Sequence, residues 1–536
     1  MKRNKRLIAC LCIASMLLSG VSVSAANESD SSVEQTAEDI QTDQIQRPET
    51  EQSTSEDEAD TADAASGNET TDDTVTVEEE SAITENPDTP ENATGEREVV
   101  SVDEKGNVFT VDDENDGVIQ DEIETYARTP SVKVVNFRAN QAGNAVSGVT
   151  TYTEYGTGAS GYVYGKSGAD AAYLGEENGK VKFMQSGVVG LVDKSKVQVV
   201  NLSSVRTYSN YYADGTSILH RICMNMSISG YGGTTNIGPQ QSYMKTGTTY
   251  YSYDGHYFYT DYETMIADYK RNTRKNSVNP NNPYYNYYQY LPLRGLSSYS
   301  ANELNNIINQ HASKASKMYN KGSQFVSNQN TYGVNALLMT GVGALESAWG
   351  TSSISQQKNN LFGLNAVDSS PGTSADRFSS VDVCIKDFAE TYMSKRYLRA
   401  GWDFYHGGFL GNKASGMNVS YASDAYWGEK IASLAWTMDN EGGKKDRNKY
   451  KIGIKDTLPT NHTSLNVRKE ANTSTTSLYN TGTSSNYAFL ILGESGSFYK
   501  VQSDPVLNSG RTQIEKNTGN YNASAMYAYS SKDYIK

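Results

Sequence analysis

A chain of 536 residues is too long for one domain, and two cysteines beyond residue 25, Cys223 and Cys384, exclude a disulfide scaffold. Five histidines, none in an H-E-x-x-H pattern or beside a paired cysteine, give no metal-site spacing, so no metal and no cofactor are expected. The formal charge of −15 conceals an asymmetry: residues 26–125 hold 33 Asp and Glu against three Lys and Arg, residues 1–25 carry +4, and residues 126–536 are left with +11. A basic body attracts polyanions. No basic cluster with a reading motif accompanies it, which argues against nucleic acid.

In chain order, Lys2, Arg3, Lys5 and Arg6 precede an apolar run from Leu7 to Leu18 and a small-residue stretch at Val23, Ser24 and Ala25. Together they predict a signal peptide over 1–25. No later segment is apolar enough to cross a bilayer, so stable membrane insertion is not expected. Residues 26–126 are rich in Ser, Thr, Asp, Glu and Asn, with Phe109 the one large apolar ring before Tyr126. Such a composition cannot bury a core and predicts an acidic disordered linker.

From residue 127 the composition turns to Gly, Tyr, Val and Ser. Segments 161–165, 180–184 and 186–192 predict short strands in a small β module over 127–202. A second small β module is expected over 203–285, with a hairpin signal at Asp254 and Gly255 between tyrosine-rich runs. The chain has 39 Tyr against 12 Phe. Tyrosine suits sugar stacking, and it equally covers the cores of small β domains.

Residues 286–445 read as one mostly α domain. Ser300 and Glu303 have capping-box spacing, and helical periodicity recurs over 334–349, 381–397 and 425–438. Residues 446–536 return to strand character, with candidates at 464–468, 488–492, 498–502 and 526–529.

Within the α domain, Glu346 shares the helical face of Leu338 and Val342, and Gly350 follows as a stop signal. A carboxylate there meets the negative end of the helix dipole and is partly desolvated, and both effects favour its protonated form. A carboxyl group that keeps its proton is what a general acid needs to protonate a glycosidic oxygen. Cys384, flanked by Val383 and Ile385, reads as a buried thiol more readily than as a nucleophile paired with His406.

Residues 343–352 with Asn360, Leu361, Phe362 and Gly363 resemble the E-S-x-W-G-x-S…N-L-F-G pattern of glycoside hydrolase family 73, the peptidoglycan N-acetylglucosaminidases. Tyr421 to Ile431 is similar to that family's Y-A-[ST]-D-P-x-Y…K-I signature, although Ala425 stands where proline is usual. The longer likeness, over about 205–445, is to the Gram-positive cell-separating type. The C-terminal segment, and less closely 127–202, resembles bacterial SH3 (SH3b) wall-binding modules.

The resemblance implies a multidomain protein: a lysozyme-like, mostly α catalytic domain flanked by small all-β SH3-like modules. It implies secretion and wall association, peptidoglycan glycan strands as partner and anionic wall polymers as a further one. Glu346 would be the general acid, and Tyr421 would position water or the acetamido group. Asp424 is a second carboxylate or a helix N-cap. Trp349, Asn360, Phe362, Tyr426 and Trp427 would line sugar subsites, though each ring could equally be core. Asp368, Asp376, Asp382 and Glu390 are open as second carboxylates, with Asp382 preferred among them though it reads more readily as a solvated helix-start Asp; a route through the substrate's own acetamido oxygen is open as well. A transglycosylase or muramidase on the same fold and a non-catalytic wall-binding adhesin are the competing readings.

Overall fold

The structure, a computed structural model, describes residues 99–111, 115–119, 132–365 and 375–536. The predicted signal peptide, residues 26–98 of the predicted linker and Asp368 lie outside the described residues.

The linker reading meets a correction at its end. Strands β1 (Val100–Val102) and β2 (Val108–Thr110) pair as an antiparallel hairpin. The acidic composition hides a short run of valines, and Val102 is fully buried in the core of the helical domain. The hairpin takes its apolar partner from a distant segment, so composition alone gives no sign of it.

A seven-stranded antiparallel sheet follows, formed by β3 (Lys133–Asn136), β4 (Val149–Glu154), β5 (Ser160–Tyr164), β6 (Asp170–Glu177), β7 (Lys180–Gln185), β8 (Val188–Asp193) and β9 (Gln198–Asn201). Its order is β5-β4-β8-β7-β6-β3-β9. Phe183 anchors its core, meeting Phe137 and Tyr152 edge-on at 5.0 and 5.3 Å between centroids.

The next sheet has four strands, β10 (Asn210–Ala213), β11 (Ser217–Cys223), β12 (Gly232–Pro239) and β13 (Thr249–Tyr250), in the order β12-β11-β10-β13. The β character expected over 203–285 does not hold throughout. Helix α1 (Tyr262–Lys270) forms instead, capped by Asp261, whose side chain accepts from the Thr264 N–H. Tyr262, Met265, Ile266 and Tyr269 bury one face at helical spacing, a period masked by the tyrosine-rich composition around it.

The helical domain contains α2 (Tyr287–Tyr290), α3 (Ala301–His311), α4 (Gly322–Tyr332), α5 (Ala336–Ser347), α6 (Ser353–Lys358), α7 (Val381–Asp387), a π-helical continuation over Phe388–Tyr397, and α8 (Trp427–Glu441). The Ser300 and Glu303 capping box is formed at the start of α3. Helices α5 and α8 approach closely at Gly341, where an added Cβ would lie 3.1 Å from Ile431 Cγ2. One apolar cluster spans both, with Leu338, Val342, Ile431 and Leu434 fully buried.

The final sheet comprises β14 (Lys451–Lys455), β15 (Asn466–Arg468), β16 (Ser477–Asn480), β17 (Tyr487–Ser495), β18 (Phe498–Gln502) and β19 (Tyr527–Ser531), ordered β14-β17-β18-β19-β15-β16. Cys223 and Cys384 are both buried free thiols. Among the described residues no helix is long and apolar enough to cross a membrane.

Candidate active site

Helix α5 is apolar nearly all round and begins at Asn335, whose side chain accepts from the Leu338 N–H at 2.9 Å. It ends one residue after Glu346. Ala348, Trp349 and Gly350 then take φ of 47°, 55° and 76°, three successive left-handed residues. For the two non-glycines this costs on the order of 1 kcal/mol each. Hydrogen bonds hold the turn: the Gly350 N–H donates to Ser347 Oγ at 2.8 Å, and the Ser316 hydroxyl donates to the Trp349 carbonyl at 2.5 Å. The sharp stop leaves Glu346 half-buried at the helix end.

The Trp427 indole N–H, from the first residue of α8, donates to Glu346 Oε1 at 2.7 Å. Glu346 Oε2 lies near Gly363, 3.6 Å from where a Cβ would stand. Gly363 also has φ of 63°, so glycine there serves both backbone and clearance. Tyr421 stacks on Trp427, with centroids 4.6 Å apart and planes 27° from parallel. Its hydroxyl reaches the Phe362 carbonyl at 3.4 Å. The fold thus brings together Glu346, Trp427, Tyr421 and the Phe362–Gly363 backbone from three separate segments.

Other predicted residues serve the frame of this cluster. Asn360 is buried and bonds within its own loop, donating to the Leu364 and Asp376 carbonyls and accepting from the Phe362 and Leu364 N–H groups. The Phe362 ring stacks on Phe388 at 3.7 Å, inside the core. Trp349 is 6% exposed, stacks on His311 at 4.3 Å and donates its indole N–H to the Gly106 carbonyl of the hairpin at 3.1 Å. Tyr426 turns to the sheets, edge-on to His220 at 5.0 Å, and burial pushes its hydroxyl pKa well up.

Asp424 sits just before α8, but the helix cap is Tyr426. One Asp424 oxygen accepts from the Tyr426 N–H at 2.9 Å, and the other pairs with the buried Lys430 ammonium at 2.6 Å. Lys430 also donates to the Val100 carbonyl of the hairpin at 2.9 Å. Lys430 is the lysine of the K-I pair in the Tyr421–Ile431 motif, which by itself assigns it no role. Its position inside an apolar stretch, beside Ile431, was the available signal, because a buried lysine must be paired.

The candidate second carboxylates divide. Asp382 pairs with Lys321 at 2.6 Å, and Glu390 with Lys395 at 3.0 Å. Asp376 belongs to the Asn360 loop: its N–H donates to the Leu364 carbonyl and its carboxylate accepts from Asn365 Nδ2 at 2.8 Å. Burial, aided by the Asp387 charge, raises its pKa despite that hydrogen bond. Cys384 is pushed up to about 12 by burial, which leaves no thiolate for nucleophilic work near neutral pH. Among the described residues no cluster of His, Cys, Asp or Glu could hold a metal ion.

Residues 322–440 match the glucosaminidase family, described as mannosyl-glycoprotein endo-beta-N-acetylglucosaminidase. The chain is 33% identical over 265 residues to a protein of Streptococcus pneumoniae serotype 4 named "Putative endo-beta-N-acetylglucosaminidase", covering 49% of this chain and 34% of that protein. A same-named protein of a second S. pneumoniae strain is 33% identical over the same length, with 32% of it covered. The chain thus spans about a third of the length of these curated relatives. Among solved structures, S. aureus autolysin E is similar at 22% identity, covering 29% of this chain and 72% of that one, with a TM-score of 0.25. A catalytic mutant of autolysin E in complex with the disaccharide NAG-NAM is 21% identical, covering 29% and 73%, with a TM-score of 0.24. The matching stretch, residues 322–440, is the one that carries Glu346, Tyr421 and Trp427, and over it this chain is similar to the glucosaminidase family.

Proposed function

We propose that the protein is a secreted cell-wall hydrolase that cleaves the β-1,4 bond after N-acetylglucosamine in peptidoglycan, in cell separation or wall remodelling. The observation that carries this reading is the Glu346 carboxyl at the end of α5, held by the Trp427 indole at 2.7 Å inside the family-matching segment. As general acid, Glu346 gives its proton to the glycosidic oxygen as the bond to the anomeric carbon breaks. The indole N–H stabilises the carboxylate left behind, a charge-assisted hydrogen bond. Tyr421, stacked on the same indole, orients the acetamido group or the attacking water. Asp382 already meets Lys321, which leaves Asp376, bonded to Asn365, and the substrate's own acetamido oxygen open for the second role. The signal peptide delivers the chain to the wall, and the seven-stranded and C-terminal sheets act as SH3b-type modules that hold it there.

The test is digestion of purified peptidoglycan by the full chain and by Glu346→Gln, followed by borohydride reduction and mass spectrometry of the new ends. Reduced N-acetylglucosamine ends made by the parent and lost in the variant are expected. Reduced muramic ends would make the protein a muramidase, and 1,6-anhydro ends a transglycosylase. Wall binding without cleavage, by folded protein, would favour the adhesin.

A further inference from the structure

A cleft of about 930 Å³ opens where residues 272–287 face β14 and the loop after it. It shares no residue with the Glu346 cluster. Tyr257, Tyr285, Tyr287 and Tyr450 line it. Tyr257 is buried, and the other three are half-buried, each keeping part of its surface in the cleft wall. Their hydroxyls are already engaged: Tyr285 donates to Asn486 Oδ1 at 3.0 Å, Tyr450 donates to the Leu296 carbonyl at 2.9 Å, and Tyr287 accepts from the Tyr450 N–H at 3.0 Å. The rings are therefore fixed before anything binds, which lowers the ordering cost of a ligand.

The charged side chains of the cleft are all cationic. Lys275 and Lys536 line it, both exposed and neither in an ion pair among the described residues, and no acidic side chain lines it. Behind them, Arg274 has 3% of its side chain exposed and gives its Nε–H to Asp254 at 2.7 Å. Its Nη2 is buried with no hydrogen-bond partner among the described residues. A buried guanidinium donor left so calls for an acceptor from water or ligand. Exposed carboxamides of Asn281 and Asn448 complete the wall.

We infer that this cleft is a second glycan-binding site, taking a carboxylate-bearing stretch of an N-acetylated glycan strand. Tyrosine surface receives the apolar faces of the sugar rings, the asparagines pair with acetamido and hydroxyl groups, and the lysines receive the carboxylate. The identity of the ligand rests on the proposed function.

The test uses the full chain with Glu346→Gln, titrated calorimetrically with a hexasaccharide of alternating N-acetylglucosamine and N-acetylmuramic acid. Two sites are expected, and Lys275→Glu with Lys536→Glu should weaken one of them by at least about tenfold. Asn281→Ala, also at the surface, should weaken the same site. Chitohexaose, with the same sugar rings but no carboxylates, should bind that site more weakly. One site unchanged by these substitutions overturns the inference. Equal binding of chitohexaose, or preferential binding of poly(glycerol phosphate), overturns the carboxylate glycan as ligand. Turnover of the hexasaccharide by chain with native Glu346 is read separately and should survive the lysine reversals. Its absence in the unsubstituted chain contradicts the proposed function, while the Lys275 and Lys536 titration still decides whether the cleft binds.

Discussion

The carboxylates that tie the sheets together and to α8, and the one at the end of α5, all lie near aromatic rings, and their surroundings set them apart. In the sheets, Asp170 accepts from the Ser209 N–H, the Ser209 hydroxyl and the Tyr253 hydroxyl at 2.8, 2.6 and 2.6 Å. Asp254 is matched by Arg274. Glu429, two residues beyond Trp427, is clamped across the boundary between β11–β12 and α8 by His220 at 2.6 Å and Thr235 at 2.9 Å. All three are buried. Glu346 is half-buried at a helix end, with one oxygen on an indole and the other beside a glycine. The contrast teaches that a carboxylate enclosed by protein donors joins parts of the fold, and one placed beside clearance can meet a substrate.

This contrast can be broken by substitutions that separate activity from stability. The largest effect is expected of Glu346→Gln, which should lower kcat on peptidoglycan by about 10²–10⁴-fold with the melting temperature unchanged, read by turnover and calorimetry. His220→Ala should do the reverse. Removing a hydrogen bond to a buried charged group costs about 1.5–3 kcal/mol, so denaturant unfolding should shift while the folded fraction keeps its turnover. Trp427→Phe keeps the ring and removes the N–H. A hydrogen bond to a charged group is worth ~1.5–3 kcal/mol, so kcat should fall by about 10–10²-fold. A further effect is a pH dependence, confined to mildly acidic conditions. Burial, aided by the Lys413 charge, lowers the His406 pKa from 6.5 to about 4. As pH falls through 6.5 the unfolded chain takes the proton first, so stability declines from there to about pH 4. His406→Gln should flatten that part of the curve of unfolding free energy against pH.

Local signals were the legible ones. The Ser300 and Glu303 box, the α5 stripe and the strands at 488–492 and 498–502 depend on neighbouring residues, and each forms in the fold. Helix α4 carries no clear periodic signal, because polar residues over 322–332 leave Phe325 and Tyr332 few apolar companions. The hairpin at 99–111 and the Glu429 clamp depend on partners far along the chain; His220 and Glu429 are 209 positions apart. At the site, motif spacing pointed to Glu346 with Tyr421 and Trp427, and the structure joins all three. It could not say what each motif residue touches. Asn360 and the Phe362 ring shape the loop that brings Gly363 to Glu346, and Trp349 anchors the turn that ends α5.

On the proposed function, Glu346 donates the proton to the departing oxygen. The most direct measurement compares the chain with Glu346→Gln on chitooligosaccharide aryl glycosides whose leaving groups span a wide range of acidity. A phenolate of low pKa departs without a proton, so the defect of Glu346→Gln should shrink steadily as the leaving group becomes more acidic. A defect of the same size across the whole series would contradict the claim.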